Sequence, residues 1–375
     1  MTGRPLRVGI VGANPDRGWG TTVHVPALHA LAGRALAGFE IAAVCTTRRA
    51  TADETARRFG IARAYDDYQL LVRDPDIDIV AICVKAPSHR GPVMAALEAG
   101  KHVYCEWPLA VSVTEAREML QLAERQGIRH IVGLQAEGSP VLRYARDLTQ
   151  AGYVGRVVSA NFLAAIPGGG PTRADVAGAY TANLSSGATT MTIHGGHSLD
   201  ALCFCLGDFR ELSGTVATQF TTTKILETGE TIAKDAPDQV IVNGVLEGGA
   251  VASAHINGGT IAGQGVRFRI HGSEGTLIVS HDGEFGIQMA DIRLSGARAG
   301  EALTELSIPA SYSAVSRGDL SPSSHNVAHL YLQLAESIRT GGPASPGFEI
   351  ALKRHQLLDA IQRSSDTGER IRLDT

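Results

Sequence analysis

The chain has 375 residues and is 44% hydrophobic, which is material for two ordinary domains that each bury a core without disulfides or metals. Its 34 basic and 38 acidic residues give a net charge of -4, so it lacks the cationic surface that a nucleic-acid backbone needs, and direct nucleic-acid binding is not expected. No stretch approaches about 18 uninterrupted apolar residues, which argues against a membrane span.

The opening Met1-Thr2-Gly3-Arg4-Pro5 has no signal-peptide core and leads straight into an apolar run, Leu6 to Val11, that ends at Gly12. The expected location is the cytoplasm. The runs Ile41 to Cys45 and Ile77 to Val84 repeat this pattern as strands. Between and after them, Thr51 to Phe59 and Ser88 to Ala99 have helical spacing and stop at Gly60 and Gly100. A strand follows at His102 to Cys105. Ser112, with Glu115 three residues later, forms a capping box for a helix to about Gln126, and Ile131 to Leu134 is the next strand. Such alternation predicts a parallel sheet with helices on both faces, over residues 1–137.

A helix is predicted at Pro140 to Ala151. Short runs separated by turns follow at Val157 to Ala164, Leu212 to Phe220, Val240 to Leu246, Ala250 to Ile256, Val266 to His271 and Gly275 to Val279. These read as antiparallel strands of one large open sheet. Helical patterns at His197 to Cys205, His325 to Arg339 and Phe348 to Ser364 make residues 138–375 an α+β domain. The run Gly168 to Gly170, between Pro167 and Pro171, reads as a loop of that domain, either a lid or plain surface. Three of the five cysteines (Cys45, Cys83, Cys105, Cys203, Cys205) lie inside or at the end of strand-like runs, so reduced, packed thiols are expected.

The first strand delivers the chain into Gly12-Ala13-Asn14-Pro15-Asp16-Arg17-Gly18-Trp19-Gly20, with an apolar helical run from about Thr21. A pyrophosphate needs close backbone approach and free amides at a helix N-terminus. Gly12 permits the approach. Asn14 stands where the second fingerprint glycine belongs and is expected to take a left-handed backbone. Gly20 serves as the third glycine, three residues late, with Trp19 beside it. At the end of the second strand, where an acidic residue would bond a ribose hydroxyl, stand Thr46, Thr47, Arg48 and Arg49. Two hydroxyls and two guanidiniums suit a 2'-phosphate and favour NADP over NAD, although the arginines also fit a solvated helix start.

The segments Gly9-Ile10-Val11-Gly12, His24-Val25-Pro26-Ala27-Leu28, Ala86-Pro87-Ser88-His89, Cys105-Glu106-Trp107-Pro108-Leu109 and His197-Ser198-Leu199-Asp200 follow one another in an order that resembles the Gfo/Idh/MocA oxidoreductase family. The likeness spans nearly the whole chain. Asn14, Trp19, the Glu106-Trp107 pair and Gly133-Leu134-Gln135 are most similar to its fungal galactose-regulon repressor subgroup, whose member binds a dinucleotide but acts as a sensor. The resemblance implies a Rossmann domain plus a large open sheet and an NAD or NADP cofactor. It also implies a sugar-like or cyclitol substrate, and a homodimer or homotetramer formed through the sheet. It places Ala86, Pro87, His89, Glu106, Trp107 and Gln135 at the dinucleotide.

Oxidising a secondary alcohol requires a group that takes the hydroxyl proton. The family's lysine and aspartate positions are Trp107 and Ile193 here, which leaves His197, whose free pKa is about 6.5. The alternative is that His197 caps the following helix with Asp200 facing solvent. His194 shares a face with His197, but no third ligand stands at useful spacing for a metal. Lys85, at the end of the Ile77 to Val84 strand, is a candidate replacement acid-base group or simply an outward lysine. Glu106 is expected beside the nicotinamide. Trp107 either stacks on that ring or a sugar face, or fills core. Asn161, Tyr180 and Asn183 are candidate substrate contacts, with His194, His197 and Trp107. Two functions follow: an NAD(P)-dependent oxidoreductase, or a dinucleotide-binding sensor, with a lyase or isomerase that retains its cofactor as a third option.

Overall fold

A computed structural model describes residues 4–33, 38–166, 172–259 and 265–373. The glycine run Gly168 to Gly170 lies outside the described residues. The chain divides into two compact units, residues 1–138 with 315–352 and residues 139–314 with 353–375. Among the described residues no helix is long and apolar enough to cross a membrane.

In the first unit, β1 (Leu6–Val11), β2 (Phe39–Cys45), β3 (Arg63–Tyr65), β4 (Ile79–Ile82), β5 (His102–Glu106) and β6 (His130–Gly133) form a parallel sheet in the order β3-β2-β1-β4-β5-β6. This is the doubly wound arrangement, with its switch point between β1 and β4. The strands read as unbroken apolar runs because both faces are covered: Val8, Ile10, Val44, Ile79 and Ala81 are fully buried. Helices α1 (Val25–Leu31), α2 (Arg49–Phe59), α3 (Tyr68–Arg73), α4 (Arg90–Glu98) and α5 (Val113–Arg125) connect them. Gly60 ends α2 at φ +67°. Ser112 accepts the Glu115 amide at 3.2 Å, while Glu115 reaches the Val111 amide rather than that of Ser112, a capping box displaced by one residue. The short β3 and α3 give no periodic signal in the sequence; Asp67 starts α3 by accepting the Gln69 amide.

In the second unit, α6 (Pro140–Gln150) leads into β7 (Val157–Ile166), then β8 (Arg173–Ala174), α7 (Gly196–Leu206), β9 (Phe209–Ala217), β10 (Thr222–Ile225), β11 (Thr231–Ala233), β12 (Gln239–Leu246), β13 (Val251–Gly258), β14 (Val266–Gly272), β15 (Gly275–His281), β16 (Arg293–Arg298) and β17 (Thr304–Glu305). With the C-terminal β18 (Ile371–Arg372) they form a nine-stranded sheet, β17-β16-β15-β14-β7-β13-β12-β9-β18, and a small sheet, β11-β10-β8. The large sheet is not wholly antiparallel: β7 and β13 run parallel, because the chain leaves β7 by a long connection through α7 and re-enters from the same end. One face is buried, as Ala160, Phe162, Val240, Val242, Ala252, Ala254 and Ile256 show. Ile241 and Val251, pointing the other way, are exposed.

The helical pattern His325 to Arg339, expected with the second domain, is α8 (Pro322–Thr340) and belongs to the first unit. Its Val327, Leu330, Tyr331 and Leu334 join Val25, Leu28 and Leu31 of α1 in one core. That stripe has the same 3.6-residue period whichever domain receives it, so its partner is not legible from spacing. The last helix, α9 (Phe348–Thr367), continues the chain from the first unit into the second.

Candidate functional site

The turn after β1 is built for close backbone approach. Gly12 has φ +99°, and a Cβ there would lie 2.6 Å from the Cys83 carbonyl oxygen at the end of β4. A Cβ at Gly20 would lie 3.0 Å from the Gly12 carbonyl, so the helical segment from Gly20 seats directly on the turn. The expectation for Asn14 is corrected. Among the described residues no non-glycine has positive φ, and Gly18, at φ +93°, supplies the left-handed step. Asn14 instead closes a local turn, its Oδ1 accepting the Asp16 amide at 3.0 Å, and Thr21 donates to its carbonyl at 2.6 Å. Among the described residues the amides of Arg17, Gly18 and Trp19 have no acceptor, and the Trp19 indole N–H is buried without a partner. These unpaired donors at a helix N-terminus fit the pyrophosphate of a dinucleotide.

At the end of β2, Thr46 Oγ1 donates to the Arg48 carbonyl at 2.9 Å. Arg49 is exposed and paired with Asp53 one turn later in α2, at 3.0 Å. Arg48, also exposed, is the cap residue of α2 with extended backbone. Arg49 is thus an ion-paired residue in the first turn of α2, next to the exposed Arg48.

Beyond β4, Ala86 and Pro87 lie in a short helical turn, Ala86–Ser88. Lys85 before it is exposed; the strand itself ends at Ile82. His89 is buried and held on both ring nitrogens, which lie 2.8 Å from the Pro108 carbonyl and 2.9 Å from the Val84 carbonyl. It ties the end of β4 to the loop after β5. Trp107, in that loop, is buried.

Glu106, at the end of β5, is clamped on both oxygens. His24 Nε2 lies 2.8 Å from Oε1, and Gln135 donates to Oε2 at 2.6 Å. The other nitrogen of His24 lies 2.7 Å from the Tyr331 hydroxyl of α8. Tyr104 packs edge-on to His24, and its own hydroxyl, like Gln135 Oε1, is buried without a partner. Gly133 makes room for this carboxylate, since a Cβ there would lie 2.7 Å from both its oxygens. His24 opens the His24-Val25-Pro26-Ala27-Leu28 segment, which by itself assigns it no role. Nothing in the spacing links it to Tyr331, 307 residues away.

In the second unit, the helical turn starts at Met191 and runs into α7, so His197 lies inside the helix and does not cap it. It is buried, its Nδ1 has no partner, and burial pushes its pKa down to about 3, assisted by nearby His194. The ring is therefore neutral at physiological pH, which corrects the expectation of an unshifted histidine. His194, half-buried, is lowered to about 4 by desolvation. Asp200 does not face solvent: it is fully buried and accepts from Arg354 of α9 at 3.0 Å, while Arg354 also reaches Asp208 at 2.6 Å. Among the described residues no three His, Cys, Asp or Glu side chains form a metal-holding group.

A cavity of about 330 Å³ opens within this unit, walled by Asp175, Thr181, Ile193, His194, Thr223 and Lys234. Of the predicted substrate contacts, His194 lines it. Tyr180 sits in the short turn Ala179–Ala182 beside it, with burial and nearby Asp175 raising its pKa. Asn183 is an exposed cap, its Oδ1 accepting the Ser185 amide at 2.8 Å. Asn161 alternates with buried Phe162 on β7 and so lies on the open face of the large sheet, beside Arg267 and Arg269, whereas α7 packs on the covered face. These two asparagines are not brought together with His197.

Residues 6–134 match the GFO_IDH_MocA family, described as an oxidoreductase family with an NAD-binding Rossmann fold, and residues 140–281 match the Gal80p C-terminal domain. Over 247 residues the chain is 30% identical to dehydrogenase aclE of Aspergillus oryzae, covering 64% of this chain and 67% of that one. The chain belongs to the Gfo/Idh/MocA oxidoreductase family. Within it, the galactose/lactose metabolism regulatory protein GAL80 of Kluyveromyces lactis is 28% identical over 301 residues, covering 75% of this chain and 65% of the relative. The fold is shared with a levoglucosan dehydrogenase solved in complex with NADH and levoglucosan, at a TM-score of 0.85 and 22% identity over 99% of this chain and 100% of that one. Trp107 and Ile193 stand where the resemblance puts a lysine and an aspartate, and Ile193 lies in the cavity wall. All five cysteines are buried thiols.

Proposed function

We propose that this protein is an NAD(P)-dependent oxidoreductase that acts by hydride transfer on a sugar-like or cyclic hydroxy or keto compound, with a preference for NADP. The observation that carries the reading is the turn after β1, where Gly12 and Gly18 hold a set of unpaired amides at a helix start. Gly12, Gly20 and Trp19 bind the pyrophosphate side, and Arg48 with Thr46 meets the 2'-phosphate. A bound nicotinamide supplies the hydride donor or acceptor. His24 and Gln135 fix the Glu106 carboxylate, and Trp107 offers an indole face to a ring. His197, kept neutral by burial and with a ring nitrogen lacking a partner, takes the hydroxyl proton as hydride leaves and returns it in the reverse direction, and His194 assists. The exposed sheet face bearing Ile241 and Val251 supports a homo-oligomer, and five buried thiols support a reducing cytoplasmic setting.

A second reading is a dinucleotide-binding sensor without turnover. The match of residues 140–281 to the Gal80p C-terminal domain, with Trp107 and Ile193 where acid-base groups usually stand, favours it. The test is to follow reduced-nicotinamide absorbance with NADP or NADPH and a panel of sugars, keto-sugars and cyclitols. The enzyme reading expects turnover that is lost in His197→Ala. Silence across the panel with cofactor binding intact favours the sensor.

A further inference from the structure

The cavity of the second unit carries information about the charge of what it holds. Among the described residues Lys234 is the only lysine or arginine in its wall, and all three of its ammonium protons are taken. It donates to the Phe220 carbonyl at 3.1 Å, to Asp238 Oδ2 at 2.9 Å and to the Ala236 carbonyl. Asp238, fully buried, balances the charge and also accepts the Gln219 and Phe220 amides. Lys234 therefore has neither a free donor nor net charge to offer. His194 is held neutral by desolvation. The remaining wall is hydroxyl and hydrocarbon, with one carboxylate, Asp175, whose Oδ1 accepts the Gly178 amide at 2.5 Å. Two polar atoms in this wall are buried without partners, Thr223 Oγ1 and His194 Nδ1. Groups of that kind persist where a ligand completes them.

We propose that this cavity takes an uncharged, hydroxyl-bearing ligand and rejects the carboxylate and phosphate derivatives of the same skeleton. The inference rests on the oxidoreductase reading for calling that ligand the substrate, but the selectivity follows from the wall alone. Thr223 and His194 hydrogen-bond the ligand hydroxyls, while Asp175 repels an anion that no wall cation compensates. Sugar acids and sugar phosphates are thus excluded, and neutral sugars, anhydrosugars and cyclitols admitted.

The test is calorimetric titration of the full chain with glucose and myo-inositol, set against glucuronate and glucose 6-phosphate, at low and at high salt. The neutral probes should saturate, and the anionic ones should bind about tenfold more weakly or not at all at low salt, the gap narrowing as salt screens Asp175. Asp175→Asn keeps the Oδ1 acceptor for Gly178 and should narrow the gap between glucose and glucuronate at low salt. Thr223→Val, of nearly the same shape, should weaken the neutral probes about tenfold. Either anion binding as tightly as glucose, or neither neutral probe saturating, overturns the inference. NADPH titrated into the same samples keeps the two claims separate: lost dinucleotide binding counts against the oxidoreductase reading, and reversed charge preference counts against the cavity.

Discussion

Gly133→Ala tests the Glu106 clamp with one carbon atom. The new Cβ would fall 2.7 Å from both carboxylate oxygens, well inside contact distance. A free glutamate would swing aside at small cost, but this one is held by His24 and Gln135 in a buried site. Displacing it breaks two hydrogen bonds to a charged group, each worth about 1.5–3 kcal/mol, and leaves buried donors unpaired. A destabilisation of roughly 3–5 kcal/mol follows. At about 2–4 °C per kcal/mol for a domain of this size, the melting temperature should fall by roughly 6–20 °C. Glu106→Ala should cost a similar amount. In the Glu106→Ala background, however, Gly133→Ala meets no carboxylate and should be nearly neutral, a coupling of about 3 kcal/mol in a double-mutant cycle read by thermal unfolding. Additive costs for the two substitutions would refute the clamp and show that Gly133 is there for some other neighbour.

Arg48→Ala should weaken NADP binding about tenfold while leaving NAD nearly unchanged, whereas Arg49→Ala, whose partner is Asp53, should affect both little; equal losses for both cofactors in titration calorimetry would remove the 2'-phosphate argument. Arg354→Met should destabilise the second unit by about 3–5 kcal/mol, because Asp200 is left charged and buried, and Asp200→Asn in the same background should recover part of that loss; a Met variant as stable as the parent in denaturant unfolding would contradict it. Burial lowers His130, His194 and His355 to about 4 and His197 to about 3, against about 6.5 unfolded. The unfolded chain therefore binds more protons, so their contribution is complete above about pH 6.5 and is lost as pH falls toward 4. The four rings together lose about 7 kcal/mol from pH 7 to 5, so calorimetric melting should drop by roughly 15–30 °C, and a melting temperature constant over that range would mean these rings are not buried neutral.

The Rossmann half was legible because its sheet is covered on both faces, so strands such as Ile79–Ile82 stand out as apolar runs punctuated by Gly60 and Gly100. Six strands of the large sheet, β7, β9, β12, β13, β14 and β15, were legible through alternation, as in Val240, Val242 and Leu246, whereas the outer strands β16, β17 and β18 carry too short or too polar a pattern to stand out. What spacing does not carry is partnership: which core receives α8, that β13 lies parallel to β7, and that His24 meets Glu106 and Tyr331. The loop after β1 was found by its glycines but misjudged at Asn14, because Gly18, outside the usual fingerprint spacing, takes the strained step. His197 was found as a residue type, yet its altered acidity comes from burial, which no motif records. Asn161 was chosen for its chemistry, and its place in the strand alternation puts it on the open face.

The account depends on the amides after β1 receiving a dinucleotide. Titration calorimetry of NADP, NADPH, NAD and NADH into the full chain tests this most directly. Saturable binding of one dinucleotide per chain, tighter for the phosphorylated pair and lost on Gly12→Val, is the expected result; a folded protein that takes up none of the four contradicts it.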